Sequence, residues 1–310
     1  MTHTTGTPDL VTPAPLGSRP EIRAGHRVGI AQLRSLLGTV PFFAYVVIFL
    51  VIPTLVVAIG AFTGDGGFTL SNLSALGDQY IVDAFGRSIT LSAVTAVIGA
   101  VLGALLAYAL VTTRPGGLLR RVVTAASGVL AQFGGVTLAF AFVATVGLSG
   151  FVTLFLSDHL GIDIYANGVW LFELPGLMLV YTYFQIPLMV IVFLPALDGI
   201  RPQWREATES LGGTTWQYWT RVAGPLLAPA FLGSTLLLFA NAFSAYATAA
   251  ALVSQGNPIV PLQIRSALTS EVVLGQANLG KAMALGMVVV VALVMTLYAL
   301  LQRRTSKWLG

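Results

Sequence analysis

Long apolar segments separated by short polar ones run through the whole sequence. A helix needs about 20 predominantly apolar residues to cross the hydrocarbon core of a bilayer. Six segments meet that requirement, and they are approximately Leu36–Phe62, Ser88–Val111, Val122–Val146, Leu174–Leu197, Leu226–Val253 and Ala282–Leu301. The pattern therefore predicts an all-α, polytopic membrane protein with six transmembrane helices.

The composition supports this fold class and excludes several functions. Hydrophobic residues make up 56% of the chain and charged residues only 9%, whereas a soluble domain has about 25% charged residues. There is no cysteine, and His3, His26 and His159 form no cluster that could hold a metal. The basic residues are spread over many loops, so we expect no nucleic-acid partner, no metal and no bound cofactor.

Positive charge is distributed unequally between the two sides of the predicted helices. Of the 16 Lys and Arg residues, only Arg87, Arg265 and Lys281 lie on one side, and the others lie on the opposite side. Lys and Arg are enriched in the cytoplasmic loops of membrane proteins. We therefore expect both termini and the polar segment 198–225 to be cytoplasmic.

The ends of the chain differ from its apolar body. Residues 1–35 are polar and rich in Pro, Gly and Thr, and this composition predicts a disordered cytoplasmic tail. The first apolar segment, 36–62, starts too late and is too long for a cleaved signal peptide, so we expect it to remain as a membrane helix. Residues 302–310 form a short cytoplasmic tail.

The polar segment 198–225 lies between the fourth and fifth apolar segments. Pro202–Leu211 predicts a short amphipathic helix whose polar face carries Arg205, Glu206 and Glu209. Gly212 and Gly213 follow, as glycine does at helix ends, and Thr214 or Thr215 can cap a second helix over 216–222. A short amphipathic helix exposed to water can lie on the membrane or bind in a groove of a partner.

The spacing of this segment resembles a known motif. Glu206-Ala207-Thr208 is followed by three residues, Gly212, nine residues and Val222-Ala223-Gly224-Pro225. This pattern is similar to the EAA loop of importer-type ABC permeases, which lies between the fourth and fifth of six spans. The sequence departs from the family pattern at Thr208, Val222 and Gly224, where the family has alanine, isoleucine and leucine.

The resemblance implies a non-catalytic subunit with a type-1 transmembrane core over residues 85–301. In that family the loop is a coupling helix that binds in a cleft of an ATP-binding cassette subunit, of which the importer has two copies. Expected coupling residues are Arg205, Glu206, Ala207, Glu209 and Gly212; Arg205 and Glu209 are included for their place on the polar face. The resemblance also implies the bacterial cytoplasmic membrane, an extracytoplasmic solute-binding protein and a second permease subunit, for which we expect a heterodimer.

The solute is less well specified. Leu211-Gly212 stands where sugar permeases often have Asp-Gly, so the sequence is closer to the branch that imports polyamines, iron, sulfate or phosphonates. A carbohydrate remains the alternative within the family. Outside it, an ion-coupled carrier, a channel or a membrane scaffold stays open, although ion-coupled carriers usually place Asp, Glu or His at mid-membrane, and these spans are nearly free of charge.

Polar residues inside the predicted spans are candidates for lining a translocation path. They are Tyr183 and Gln185 in the fourth segment, and Asn241, Ser244, Tyr246 and Thr248 in the fifth. For any one of them, hydrogen bonding between helices is the favoured interpretation. As a group, residues 241–248 are the strongest candidate for a path-lining segment.

Two glycine patterns resemble functional motifs, but the sequence favours a structural interpretation of each. Gly99 and Gly103 form a GxxxG pattern in the second segment, which favours close helix packing within the bundle over contact with another subunit. Residues 275–282 nearly match a phosphate-binding loop, but Ala282 replaces the hydroxyl residue and no strand precedes it. We therefore expect no nucleotide site there.

Overall fold

The computed structural model describes residues 39–64, 66–114, 116–253, 259–269 and 276–306. The helices in these ranges are α1 (Thr39–Ala61), α2 (Ser71–Ser74), α3 (Gln79–Val111), α4 (Leu118–Gln132), α5 (Gly135–Val146), α6 (Phe151–Leu160), α7 (Leu174–Asp198), α8 (Pro202–Ser210), α9 (Thr215–Ser244), α10 (Ala247–Leu252), α11 (Val260–Thr269) and α12 (Gln276–Ser306). Two short strands, β1 (Thr63–Gly64) and β2 (Gly67–Phe68), pair antiparallel, with Thr63 opposite Phe68.

The chain divides into two compact units at Pro53. In the first unit the described residues, 39–53, are helical, with a π-helical turn at Val47–Val51. The second unit, Thr54–Gly310, begins within α1 and contains the remaining helices.

Six segments of the described chain are long and apolar enough to cross a membrane. They are Thr39–Ala61, Gln79–Val111, Gly135–Leu160, Leu174–Asp198, Thr215–Ser244 and Ala277–Leu300. The predicted all-α fold with six spans is confirmed. The predicted tail 1–35 and residues 307–310 lie outside the described residues, and the cytoplasmic position of the termini stays a prediction.

Two of the predicted spans are interrupted. The third, expected as one helix over 122–146, ends at Gln132 and restarts at Gly135, whose φ of +68° is the left-handed conformation that favours glycine. The fifth, expected to run to Val253, stops at Ser244 and restarts at Ala247. Both interruptions fall in apolar or small residues, so hydropathy alone does not reveal them.

The core of the second unit is built by α3, α7 and α9. Its buried members include Ala96, Ala100, Met189, Phe193, Leu238 and Phe243. The two glycines of the GxxxG pattern face α7: a Cβ on Gly99 would lie 2.5 Å from Gln185 Cβ, and one on Gly103 would lie 2.6 Å from the Ile186 carbonyl oxygen. The glycines therefore allow close backbone approach inside this chain, which confirms the interpretation as packing within the bundle.

The segment that nearly matches a phosphate-binding loop is helical wherever the structure describes it. Residues 276–282 form the first turns of α12, and Gly275 lies outside the described residues. The Lys281 ammonium donates to Asn278 Oδ1 at 3.0 Å, and its side chain lies against Gly60. In this helix Lys281 is engaged in packing α12 against the end of α1.

The glycine contact between α3 and α7 can be tested by adding a single methyl group. Gly103→Ala would place its Cβ against Met189 and the Ile186 carbonyl, and overpacking of this kind costs roughly 1–3 kcal/mol. Gly86→Ala, in the same helix with open space around it, is the matched control. We expect thermal unfolding in detergent to show a lower midpoint for the first variant only; equal midpoints would contradict the packing account.

Candidate functional site

The loop over residues 198–225 has a defined structure. The predicted first helix is confirmed as α8, which starts with Pro202 in its first turn. It ends in a glycine motif: Gly212 has φ +75°, and the Gly213 N–H donates to the Thr208 carbonyl at 2.8 Å. This arrangement satisfies carbonyls that a helix end otherwise leaves unpaired.

The second half of the loop is capped at its start. Thr214 and Gln217 form a reciprocal capping box: the Gln217 N–H donates to Thr214 Oγ1 at 3.3 Å, and the Thr214 N–H donates to Gln217 Oε1 at 2.8 Å. The predicted separate helix over 216–222 is instead the start of α9. The loop therefore passes directly into the fifth span.

A π-helical turn at Trp219–Ala223 explains one departure from the EAA pattern. A Cβ on Gly224 would lie 2.4 Å from the Trp219 carbonyl oxygen. Real Cβ atoms do not approach that closely, so this turn requires glycine where the family has leucine.

Helix α8 has no buried residue. Arg205 donates to Glu209 Oε1 at 2.9 Å, and this hydrogen bond, together with the charge of Glu209, raises the pKa of Arg205 above its ordinary value. Glu206 and Ala207 are exposed beside them. The structure therefore brings the five predicted coupling residues together on one projecting helix and its glycine end.

Two exposed apolar residues at this site are not among the predicted coupling residues. Leu211 is 89% exposed at the turn after α8, and Trp216 is 76% exposed in the first turn of α9. Beside them lies a groove of about 380 Å³, lined in part by Thr208, Gln217 and Arg221. Large apolar side chains between two capped helix ends are a signal that could have identified this contact surface.

The base of the loop is tied to two other helices. Arg120, in the first turn of α4, forms an ion pair with Asp198 at the end of α7. The Trp219 ring meets Tyr108 of α3 edge to face, with centroids 5.3 Å apart. Arg120 and Asp198 each oppose the dipole of their own helix, so their pairing compensates two locally unfavourable positions.

A second candidate site lies where the two interrupted spans meet. The position of a Cβ on Gly135 is 3.5 Å from Ala247 Cβ, so the start of α5 abuts the start of α10. Beside this contact is a cavity of about 270 Å³, lined by Gln132, Gly134, Phe184, Asn241, Tyr246 and Thr248. We call it the break cavity.

The break cavity lies deep in the bundle. Phe184 is 14 residues from one end of α7 and 10 from the other, which at about 1.5 Å per residue corresponds to about 21 and 15 Å. Irregular backbone is tolerated at membrane depth only where it is buried in protein or lines a cavity. Gly134, Ala245 and Tyr246, at the two interruptions, line such a cavity.

Three of the six predicted path residues line the break cavity: Asn241, Tyr246 and Thr248. The other three do not. The Ser244 hydroxyl donates to the Ala240 carbonyl, and the half-exposed Tyr183 ring packs edge to face on Phe142. Gln185 is fully buried, and its amide donates to the Leu238 carbonyl at 3.1 Å.

Gln185 therefore hydrogen-bonds one helix to another. This is the alternative to path lining that the sequence offers for each polar residue inside a span. Its Oε1 has no partner within the part of the chain that the structure describes. Sequence reasoning also missed Gln132, because it lies at the end of a helix that hydropathy joins to the next.

The described chain thus combines six candidate membrane spans with an exposed, ordered loop and a cavity beside two helix interruptions. The chain belongs to the family described as "Binding-protein-dependent transport system inner membrane component", whose model matches residues 137–307, more than half of the chain.

Curated relatives include permease proteins named for two solutes. The chain is 27% identical over 226 residues to the putative ferric transport system permease protein FbpB 1 of Haemophilus influenzae, covering 71% of this chain and 33% of that protein. It is 28% identical over 168 residues to the sulfate transport system permease protein CysT of Escherichia coli, covering 54% of this chain and 57% of that protein. The chain thus spans about a third to somewhat over half of the length of these relatives.

Solved structures share the fold. A bacterial ABC transporter involved in the import of the acidic polysaccharide alginate superposes with a TM-score of 0.71 at 19% identity, covering 88% of this chain and 96% of that chain. The MetNI methionine ABC transporter, in an inward-facing conformation, gives a TM-score of 0.54 at 17% identity, with 72% and 95% coverage.

The left-handed turn after α8 makes a specific prediction at Gly212. Gly212→Val forces a β-branched residue into a conformation that costs roughly 1–2 kcal/mol for L-residues, whereas Gly212→Asn is tolerated better because Asn visits this region. No atom lies within 4 Å of the added Cβ, so the effect is conformational. Hydrogen exchange should become faster across residues 202–217 in the valine variant only; equal exchange in both variants would refute this.

The ion pair between α4 and α7 makes a second prediction. Arg120→Asp or Asp198→Arg alone should lower the midpoint of thermal unfolding, because each leaves two like charges facing each other. The double exchange should restore it fully, since each charge then also suits the dipole of its own helix. A coupling energy of about 0.5–1 kcal/mol is expected for a partly exposed pair. A double variant no more stable than the singles would show that the pair is incidental.

Proposed function

We propose that this chain is the membrane-spanning permease subunit of an ATP-driven solute importer, with a type-1 transmembrane core over residues 85–301. It supplies half of the translocation pathway and receives force through the 198–225 loop. The observation that carries the proposal is α8: an ordered helix with no buried residue, ended by Gly212 and flanked by exposed Leu211 and Trp216. Its EAA-like spacing and the family membership support the same function.

The partner at this loop is an ATP-binding cassette subunit, with two copies in the assembled importer. An exposed Leu and Trp beside a groove have the character of interface anchors, which are enriched in aromatic residues. The charged pair Arg205–Glu209 and Glu206 provide a polar rim. ATP hydrolysis takes place in that partner, and this chain is non-catalytic.

The geometry provides a route from the loop to the break cavity. The loop is capped at both helices, continuous with α9, and tied to α4 through the Arg120–Asp198 pair. Helices α4, α7 and α9 contribute Gln132, Phe184 and Asn241 to the cavity. A displacement of the loop by closing ATPase subunits therefore moves three helices that line the cavity, and this changes access to it.

The charge distribution supports an orientation with the loop and both termini in the cytoplasm. On the opposite side a solute-binding protein delivers the solute, in keeping with a related structure of the alginate transporter that contains a periplasmic protein bound to an alginate pentasaccharide. A second permease subunit completes the pathway, and we favour a heterodimer.

Among solutes, the relatives named for ferric and sulfate transport favour the branch that imports polyamines, iron, sulfate or phosphonates over carbohydrates. An ion-coupled carrier is disfavoured because no ionisable carboxylate or imidazole lines the described break cavity.

Substitutions on α8 and in the turn after it test the coupling role. In the reconstituted importer, Leu211→Arg should reduce ATP-dependent uptake at least about tenfold, because a charge in place of an interface anchor typically costs more than 1.4 kcal/mol. Glu206→Lys reverses a charge of the polar rim and should also reduce uptake. Gln203→Ala, an exposed change on the same helix, is the matched control. All three proteins should reach the membrane in equal amounts.

Two outcomes would contradict the proposal. One is normal uptake by both charge variants. The other is uptake that survives ATP depletion but collapses with the proton gradient, which would indicate an ion-coupled carrier.

A further inference from the structure

An apolar groove, separate from the break cavity, runs between α3 and α9. It encloses about 490 Å³. Phe193 and Leu197 of α7, each only 4% exposed, form its floor, whereas Leu105 of α3, on its rim, is 59% exposed. The part on α9 extends from Trp219 to Phe231, 12 residues or about 18 Å of helix. An elongated apolar ligand can therefore lie along the spans here. We call this feature the α3–α9 groove.

One end of the α3–α9 groove is polar. A smaller cavity of about 240 Å³ continues it, because Tyr108, Leu197 and Trp219 line both. This cavity adds Arg205 of α8 and Tyr218 of α9 to the lining. It lies where α3 and α7 end and α9 begins, which is the boundary of the spans. The combined site is apolar inside the spans and cationic at their end.

The polar end has hydrogen-bond donors that the described residues do not use. Arg205 donates from Nε to Glu209, and its two Nη groups make no hydrogen bond to a described residue. Tyr218 is only 7% exposed, yet its hydroxyl also makes no hydrogen bond within the described ranges. Glu209 raises the pKa of Arg205 most, and smaller contributions from Tyr108 and Tyr218 indicate that both lie near the guanidinium. Buried polar groups normally have partners, so these donors indicate a ligand that accepts hydrogen bonds.

The helix ends beside this cavity are already satisfied. A helix C-terminus carries partial negative charge on its last carbonyls. At the end of α3 the Thr112 and Thr113 hydroxyls each donate to the carbonyl three residues earlier, at 2.7 and 2.6 Å. At the end of α7 the Gly199 N–H donates to a carbonyl of that helix at 3.1 Å, and the Asp198 carboxylate is paired with Arg120. The guanidinium of Arg205 thus remains available to an anion.

We propose that the α3–α9 groove binds one anionic phospholipid, with an acyl chain along α9 and the phosphate at Arg205, Tyr108 and Tyr218. A guanidinium matches a phosphate in charge and geometry, and Tyr and Trp are typical of the membrane–water boundary. A helix of a partner protein could fill the apolar part, but it would leave the polar end without an anion.

This site gives two neighbouring residues of α8 different roles. Arg205 binds the lipid on the membrane side of the helix, and Glu206 remains for the ATP-binding partner. The bound lipid ties α8 to the boundary of the bilayer at the base of the loop. The inference goes beyond the proposed importer function and does not depend on the identity of the solute.

The test uses the full-length chain, freed of lipid in detergent. Native mass spectrometry measures binding of phosphatidylglycerol and of phosphatidylcholine with the same acyl chains. We expect the first phosphatidylglycerol to bind about fivefold more tightly, as for one additional charge contact at a membrane surface. Equal affinities for the two lipids would overturn the proposal.

Variants at the polar end locate the headgroup. Tyr218→Phe keeps the ring and removes the hydroxyl, and we expect a loss of phosphatidylglycerol affinity of roughly tenfold, as for one hydrogen bond to a charged group. Arg205→Gln should lower it about fivefold. Tyr80→Phe, at the opposite end of α3 and 51% exposed, is the matched control. Equal affinities of the Tyr218 and Tyr80 variants would place the lipid elsewhere. Unchanged thermal midpoints of the lipid-free proteins confirm that each variant is folded.

A filled groove and an assembled importer complete the test. Ala228→Phe places a ring in the groove and should weaken binding of both lipids, whereas Ala125→Phe, on an exposed part of α4, should not. In the assembled importer the bound phosphatidylglycerol should remain, and Tyr218→Phe should release it. Release from the unmodified chain on assembly would show that a partner subunit occupies the groove and would reject the lipid site.

Discussion

A lipid bilayer offers no water to a backbone N–H or C=O, so every polar group of a spanning chain needs a partner inside the protein. Regular helices meet that constraint along most of the six spans. The interruptions at 133–134 and 245–246 do not meet it alone. They lie together, with Gly135 against Ala247, beside a cavity lined by both polar and apolar residues. In the proposed function this cavity is part of the translocation path.

The same constraint explains why the loop can act on that cavity. Helices α7 and α9 each continue from the loop to the cavity level, with Pro187 and Pro195 inside α7 and a π-helical turn and Pro229 inside α9. Gly99 and Gly103 hold α3 close against α7, and the Tyr108–Trp219 contact joins α3 to the base of the loop. In the proposed mechanism a partner pushes on exposed α8, and packed helices carry the displacement inward.

Sequence reasoning recovered what depends on composition and spacing. Hydropathy identified six spans, and the residues around Gly212 and Thr214 predicted the end of α8 and the capped start of α9, although not that α9 continues into the fifth span. It joined α4 to α5 and α9 to α10, because Phe133 and Ala245 are as apolar as their neighbours and the breaks depend on tertiary contacts. It also placed Gln185 in the pathway, whereas this side chain is fully buried between helices. That the π-helical turn requires glycine at position 224 could be learned only from the structure, in which the Trp219 carbonyl oxygen occupies the space of a Cβ.

The most direct test of the central claim is the accessibility of Leu211 in the assembled importer. The chain contains no cysteine, so Leu211→Cys introduces a single thiol at a residue that is 89% exposed, and Phe68→Cys provides an exposed control in the β-hairpin. Maleimide labelling of the isolated chain should modify both thiols. In complex with its ATP-binding subunits, the thiol at position 211 should be protected and the one at position 68 should not. Equal labelling of position 211 with and without those subunits would contradict the account.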